Sequence, residues 1–124
     1  MDGFALGFLE AALWASLDDD ESHLDANYNW EDFYPATLDK IKAECAKFQS
    51  EQAHLITREN CLSAGYKYLE FAGQDFFFTR EHHGCGFWDG GWAEPAAKLL
   101  TEAAHKFGEV NLYVGDDNKI YAGG

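Results

Sequence analysis

The sequence predicts an α+β domain in which helices come first and a small, mainly antiparallel sheet follows. Three observations support this class: helical spacing of apolar residues in the first half, strand-like runs in the second half, and one helical pattern between those runs. With 124 residues, 47% hydrophobic and 16% aromatic, the chain suffices for one packed core. We expect a single domain over residues 1–124, with an acidic N-terminal helix and loop (1–39) packed on it.

Residues 3–17 predict a first helix with little polar surface, because leucines and small or aromatic residues occupy most positions. Such a helix is either central to the fold or lies at an interface, so a homodimer through it is one possibility. Residues 18–34 predict a long loop with one helical turn at Trp30–Phe33, for which Asn29 is the N-cap.

Two further helices are predicted before the sheet. Pro35 suits the first position of a helix, and apolar residues at three- and four-residue spacing continue the pattern to Leu55. Another helical stretch is expected from about Glu59 to Ala72, with Gly73 as its stop.

The second half predicts a hairpin, a helix and a second hairpin. In the first hairpin, residues 75–80 and 85–88 are the strands and residues 81–84 the turn. Pro95 opens the helix, which ends at Gly108. Residues 110–114 and 119–121 are the strands of the second hairpin, joined by a turn at 115–118.

The charge of the chain is strongly negative and unevenly placed. The formal net charge is -13, from 9 basic and 22 acidic residues, and every basic residue lies at or beyond Lys40. This balance argues against direct binding of nucleic acid or of an anionic membrane surface. No apolar run approaches the roughly 20 residues of a membrane span, and residues 1–17 lack the basic start of a signal peptide. The 3 cysteines form no close pair, which predicts reduced thiols in a cytoplasmic protein.

Two motifs in the second half are distinctive. One is Thr79-Arg80 followed by His83-Gly84-Cys85-Gly86-Phe87-Trp88-Asp89, and the other is Tyr113-Val114-Gly115-Asp116-Asp117. Together they resemble a family of small acidic bacteriophage proteins, mostly of unassigned function, over about residues 4–121. The resemblance implies a phage source, and with it the host cytoplasm as location, but no reaction. The sequence departs from the family pattern at Phe77, His82, Cys85 and Gly90.

The acidic residues of the N-terminal loop have two interpretations. They could be a solvated surface that keeps the protein soluble. Alternatively they imitate duplex DNA, which presents one charge per roughly 1.7 Å of axis. The phage source implied by the resemblance favours the second, an inhibitor of anti-restriction or anti-CRISPR type bound in the basic groove of a host defence or repair protein. The predicted partner-binding residues are Asp18, Asp19, Asp20, Glu21, Asp25, Tyr28, Trp30, Glu31 and Asp32.

The first predicted hairpin suggests a second function. Arg80, His83, Trp88 and Asp89 could form the site of a small enzyme or ligand-binding module, with Arg80 and Asp89 facing each other across the strands. The same two side chains could equally be a salt bridge that holds the hairpin together. A third hypothesis is a structural or assembly protein of the phage.

Metal-binding and catalytic motifs are weak. His82, His83, Cys85 and Asp89 are residue types that suit zinc, but adjacent histidines on a hairpin point to opposite faces and no second ligand pair has a standard spacing. There is no nucleophile elbow and no phosphate-binding loop. We therefore expect a non-enzymatic protein without a metal or cofactor.

Overall fold

The computed structural model describes residues 1–123. Within these residues, four helices are followed by one antiparallel hairpin, and three short 3-10 helices lie in the loops. The predicted α+β class is therefore confirmed. The helices are α1 (Gly3–Ala15), α2 (Pro35–Glu51), α3 (Tyr68–Arg80) and α4 (Ala96–His105); the strands are β1 (Asn111–Val114) and β2 (Ile120–Gly123); the 3-10 helices are Leu24–Ala26, Trp30–Asp32 and Gly65–Lys67.

The helices α1 and α3 form the most extensive contact between elements. Two glycines allow their backbones to approach closely. A Cβ atom on Gly7 would overlap the carbonyl of Glu70, and a Cβ atom on Gly73 would overlap the carbonyl of Phe4. The apolar helix α1 is therefore central to the fold, which explains why it has little polar surface.

Phenylalanine rings fill the centre of the core. The rings of Phe48 on α2 and Phe76 on α3 stack with centroids 4.2 Å apart. Phe4 and Phe8 of α1 pack on the same Phe76 ring, at 5.7 and 5.5 Å. These four side chains are completely buried, so burial of aromatic surface joins the three helices.

Two elements differ from the sequence prediction. Residues 75–80 are helical and continue α3, whereas a strand was predicted there, and residues 85–88 form turns without a strand. The predicted first hairpin is therefore wrong. The predicted helix 59–72 is also wrong, because residues 59–67 are irregular up to a 3-10 turn and α3 begins only at Tyr68. Gly73 is an interior residue of α3 and not its stop.

The remaining predicted elements are present with small shifts at their ends. Asn29 caps the 3-10 helix at Trp30–Asp32, and Pro35 is the first residue of α2. Pro95 is the N-cap of α4. The second hairpin pairs Val114 with Ile120 and closes around a turn at the predicted position. No helix within residues 1–123 is long and apolar enough to cross a membrane.

Candidate functional site

The loop that carries the acidic cluster, residues 18–32 (the acidic segment), is held on the body of the protein. Leu24 is completely buried, and its amide donates to the carbonyl of Ser16 at 2.9 Å. The hydroxyl of Tyr28 donates to the Oδ1 atom of Asn118 at 2.9 Å, which joins the segment to the turn of the hairpin. The segment therefore has a defined conformation on the surface.

Two of the predicted carboxylates stabilise this conformation. The Oδ1 atom of Asp18 accepts hydrogen bonds from the amides of Asp20 and Ser22, both at 2.9 Å. The Oδ2 atom of Asp32 accepts from the amide of Asn29 at 2.9 Å, as half of a capping box. Asp18 and Asp32 are thus committed to local hydrogen bonds.

The other predicted carboxylates are exposed to solvent. They are Asp19, Asp20, Glu21, Asp25 and Glu31. The one ion pair within residues 1–123 joins Arg80 to Glu44, so no cation of the described chain neutralises these five. The acidic segment therefore presents uncompensated negative charge from an ordered backbone.

A groove with a volume of about 630 Å³ lies between α1, the acidic segment and α3. Its floor is apolar, and the aromatic side chains of Trp14, Tyr28, Trp30 and Phe78 line it together with the carboxylates of Glu10 and Asp25. The groove brings together three residues that the sequence predicted for the partner surface: Asp25, Tyr28 and Trp30.

Sequence reasoning missed Glu10 and Trp14 as part of this groove. Both belong to a helix that the sequence predicted to have little polar surface. The signal that could have found them is their spacing of four residues, which places both side chains on one side of α1. Trp14 is 51% exposed, which is unusual for so large an apolar side chain.

Arg80 has a structural environment. It is only 2% exposed, and its guanidinium lies against the rings of Phe8, Phe76 and Phe107. Its Nε atom donates to the carbonyl of Gly108 at 2.8 Å, and its Nη1 atom lies 3.1 Å from the carboxylate of Glu44. The predicted cross-strand pair of Arg80 with Asp89 is wrong, because the strands that would hold it do not exist.

The rest of the predicted polar site lies in the loop after α3. His83 is exposed, and its Nδ1 atom is 3.5 Å from the Sγ atom of Cys85. Burial raises the pKa of the Cys85 thiol, and Asp75 and Asp89 raise it further. The pair therefore lacks the lowered thiol pKa of a reactive cysteine. Trp88 is 50% exposed, and residues 1–123 contain no group of three or more His, Cys, Asp or Glu side chains arranged to hold a metal ion.

Asp89 lines a second cavity, of about 360 Å³, together with Asp75 of α3. The indole N–H of Trp92 donates to the Oδ2 atom of Asp75 at 2.8 Å. Burial raises the pKa of the Asp75 carboxyl to about 6; the bond from Trp92 opposes this shift, and the charge of Asp89 adds to it. Sequence reasoning missed Asp75, because it was assigned to the first position of a strand.

Comparison of the chain with protein-family models, with curated proteins and with solved structures gave no match.

Proposed function

We propose that this protein is a phage-encoded acidic inhibitor that binds a host nucleic-acid-binding defence or repair protein by presenting the charge pattern of nucleic acid. One observation carries the proposal: five exposed carboxylates extend from an ordered segment in which no cation neutralises them. The phage source is what the resemblance of the two sequence motifs to a family of bacteriophage proteins implies.

An ordered acidic segment suits this role better than a disordered tail would. Asp18 and Asp32 fix the backbone, so the neighbouring carboxylates lose little conformational freedom when a partner binds. Carboxylates on a surface without neighbouring cations also accelerate association with a basic cleft by electrostatic steering. This acceleration decreases as the salt concentration rises, because salt screens the charges. The expected complex is therefore strongly salt-dependent.

The groove beside the segment provides a place for apolar contact. Trp14 and Trp30 are both partly exposed there, and tryptophans are frequent among the residues that contribute most to binding. Charge would attract and orient the partner, and the groove would add buried surface next to the carboxylate of Asp25.

A capture experiment with a DNA competitor tests the proposal. The protein is immobilised, a bacterial lysate is passed over it at low salt, and bound proteins are eluted by a duplex DNA oligonucleotide or by a salt gradient. We expect nucleic-acid-binding proteins that both treatments release. The proposal fails if the retained proteins resist the oligonucleotide, or if nothing is retained.

Two matched variants separate the acidic segment from the overall charge. The first combines Asp19→Asn, Asp20→Asn and Glu31→Gln, and the second combines Glu51→Gln, Glu59→Gln and Glu102→Gln. All six side chains are exposed and each set removes three charges of the net -13. We expect only the first set to weaken capture, by about tenfold if each exposed pair contributes about 0.5 kcal/mol. If both sets weakened capture equally, the net charge of the protein would explain the effect, and recognition of the acidic segment would be refuted.

A further inference from the structure

Asp75 is a buried acid without a cationic partner. It is 6% exposed, and the Trp92 indole that bonds its Oδ2 atom is neutral. The one ion pair within residues 1–123 involves other residues, so no lysine or arginine compensates the ionised carboxylate. Burying a charge without a counter-charge is unfavourable, so a cation that reached this carboxylate would lower the cost of its ionisation.

The surroundings of Asp75 add negative charge and no positive charge. The cavity of about 360 Å³ that it lines contains a second carboxylate, that of Asp89, and no basic residue lines it. The rings of Phe71 and Phe78 form apolar walls, and the amide of Gln74 adds a polar group. The cavity is thus complementary to a ligand that combines a positive charge with an apolar body.

We propose that this cavity binds a small organic cation, an alkylammonium group whose charge lies between Asp75 and Asp89 and whose carbon chain lies against Phe71 and Phe78. An ammonium group carries three N–H donors, enough to bond both carboxylates and the Gln74 carbonyl oxygen. Aromatic walls also attract cations at their faces. No residue of the acidic segment lines this cavity, although Gln74 and Phe78 also line the groove beside that segment. The proposal does not depend on the inhibitor function.

A divalent metal ion fits the cavity less well. Calcium and magnesium need about six oxygen ligands in a polar shell, whereas the walls here include two phenylalanine rings and the acids are two. Gly91 allows the loop to approach the Phe71 ring closely, because a Cβ atom there would lie 2.8 Å from that ring.

Titration with butylammonium chloride, followed by NMR at the Trp92 indole N–H, tests the site. This proton bonds directly to Asp75 and therefore reports on its charge. Trp92→Phe assigns the resonance. We expect a saturable shift with butylammonium and an affinity at least tenfold lower for the neutral isostere 1-butanol. Equal responses to both, or a stronger response to magnesium chloride, would overturn the proposal. A third titration, with N-acetyl-lysine amide, distinguishes a free amine from a lysine side chain as the source of the cation.

Two variants locate the charge of the ligand. Asp89 is exposed, so Asp89→Asn is expected to fold normally and to weaken butylammonium binding at least tenfold. The control Asp116→Asn removes an exposed carboxylate from the hairpin turn and should leave binding unchanged. An unchanged affinity in Asp89→Asn would refute the assignment. Binding should also weaken as the pH falls below about 6, where Asp75 takes up a proton.

Discussion

The guanidinium of Arg80 lies 3.1 Å from the carboxylate of Glu44, so α3 is joined to α2 by an ion pair. The arginine is 2% exposed and the glutamate side chain 26%. The same guanidinium donates to the carbonyl of Gly108, after α4. One buried side chain thus connects three parts of the fold, and Glu44 provides its counter-charge.

Removing that counter-charge should destabilise the protein. Glu44→Gln leaves the Arg80 guanidinium buried without a carboxylate, a change that costs about 3–5 kcal/mol for a fully buried pair. Since Glu44 is partly exposed, we expect a smaller loss of about 1–2 kcal/mol in the free energy of unfolding, measured with urea. The exposed Glu51→Gln is the control and should change stability by less than about 0.5 kcal/mol. Equal stability of the two variants would show that Glu44 does not compensate Arg80.

The close contact of α1 with α3 predicts the effect of a single methyl group. Gly73→Ala should destabilise the protein by about 2 kcal/mol, because an overpacking cost of about 3 kcal/mol outweighs the roughly 1 kcal/mol that alanine adds to helix propensity. The added Cβ atom would overlap the backbone carbonyl of Phe4, which cannot move without α1. Gly84→Ala is the control, since its Cβ atom would meet nothing within 4 Å. A Gly73→Ala protein as stable as the wild type, by thermal or urea unfolding, would contradict this packing.

Elements with a local signal at their start could be predicted from the sequence. Asn29 offers a side-chain acceptor to the next turn, and Pro35 and Pro95 cannot donate a backbone hydrogen bond. The elements that follow begin where these residues predict. The hairpin turn at 115–118 is rich in Gly, Asp and Asn, which is equally local information.

The course of α3 could not be predicted, because contacts distant in the sequence decide it. Aromatic residues 76–78 favour a strand by propensity alone. In the structure, Phe76 stacks on Phe48. Gly73, which the sequence predicted as the end of a helix, is instead the point where the backbone of α1 approaches α3 closely. Tertiary packing thus outweighs the local preference.

Only the acidic part of the candidate site could be predicted from the sequence. The run of acids identified the acidic segment, and the aromatic residues within it indicated that it would pack on the body. The contribution of Glu10 and Trp14 depends on how α1 lies beside that segment. Asp75 could not be predicted as a site residue, because its burial and its bond to Trp92 depend on α3, and the sequence predicted a strand at this position.

The order of the acidic segment can be tested separately from its charge. Asp18→Ala and Asp19→Ala remove the same charge from adjacent positions, but only Asp18 accepts hydrogen bonds from the turn. We expect faster amide hydrogen exchange at Asp20 and Ser22 in Asp18→Ala alone. If the proposed partner recognises a fixed pattern, Asp18→Ala should also weaken binding more than Asp19→Ala. Equal exchange rates in the two variants would mean that Asp18 does not hold the turn.

The groove predicts a difference between two exposed tryptophans. Trp30 lines the groove and is 38% exposed, whereas Trp88 is 50% exposed and lies outside it. We expect Trp30→Ala to weaken the captured complex by more than about 1 kcal/mol and Trp88→Ala to leave it unchanged. Isothermal titration with the captured partner measures both. A larger effect of Trp88→Ala would contradict this prediction and show that the partner binds at the loop after α3.

The raised pKa of Asp75 predicts how stability depends on pH. Burial raises this pKa from 3.8 to about 6 in the folded protein, so between these two values the folded state holds a proton that the unfolded state has lost. The contribution of Asp75 to the free energy of unfolding therefore decreases as the pH rises from about 4 to about 6, and is constant above that range. The decrease amounts to about 3 kcal/mol, at 1.36 kcal/mol for each pH unit.

Comparison with Asp75→Asn isolates this contribution, because subtraction removes the titration of most other groups. The stability of the variant relative to the wild type should increase by about 3 kcal/mol between pH 4 and pH 7, measured by urea unfolding at each pH. Asp89 lines the same cavity as Asp75, and its charge raises the pKa of Asp75. Asp89→Asn should therefore reduce the pH dependence without removing it. A constant difference between Asp75→Asn and wild type across this range would mean that burial does not raise the pKa of Asp75.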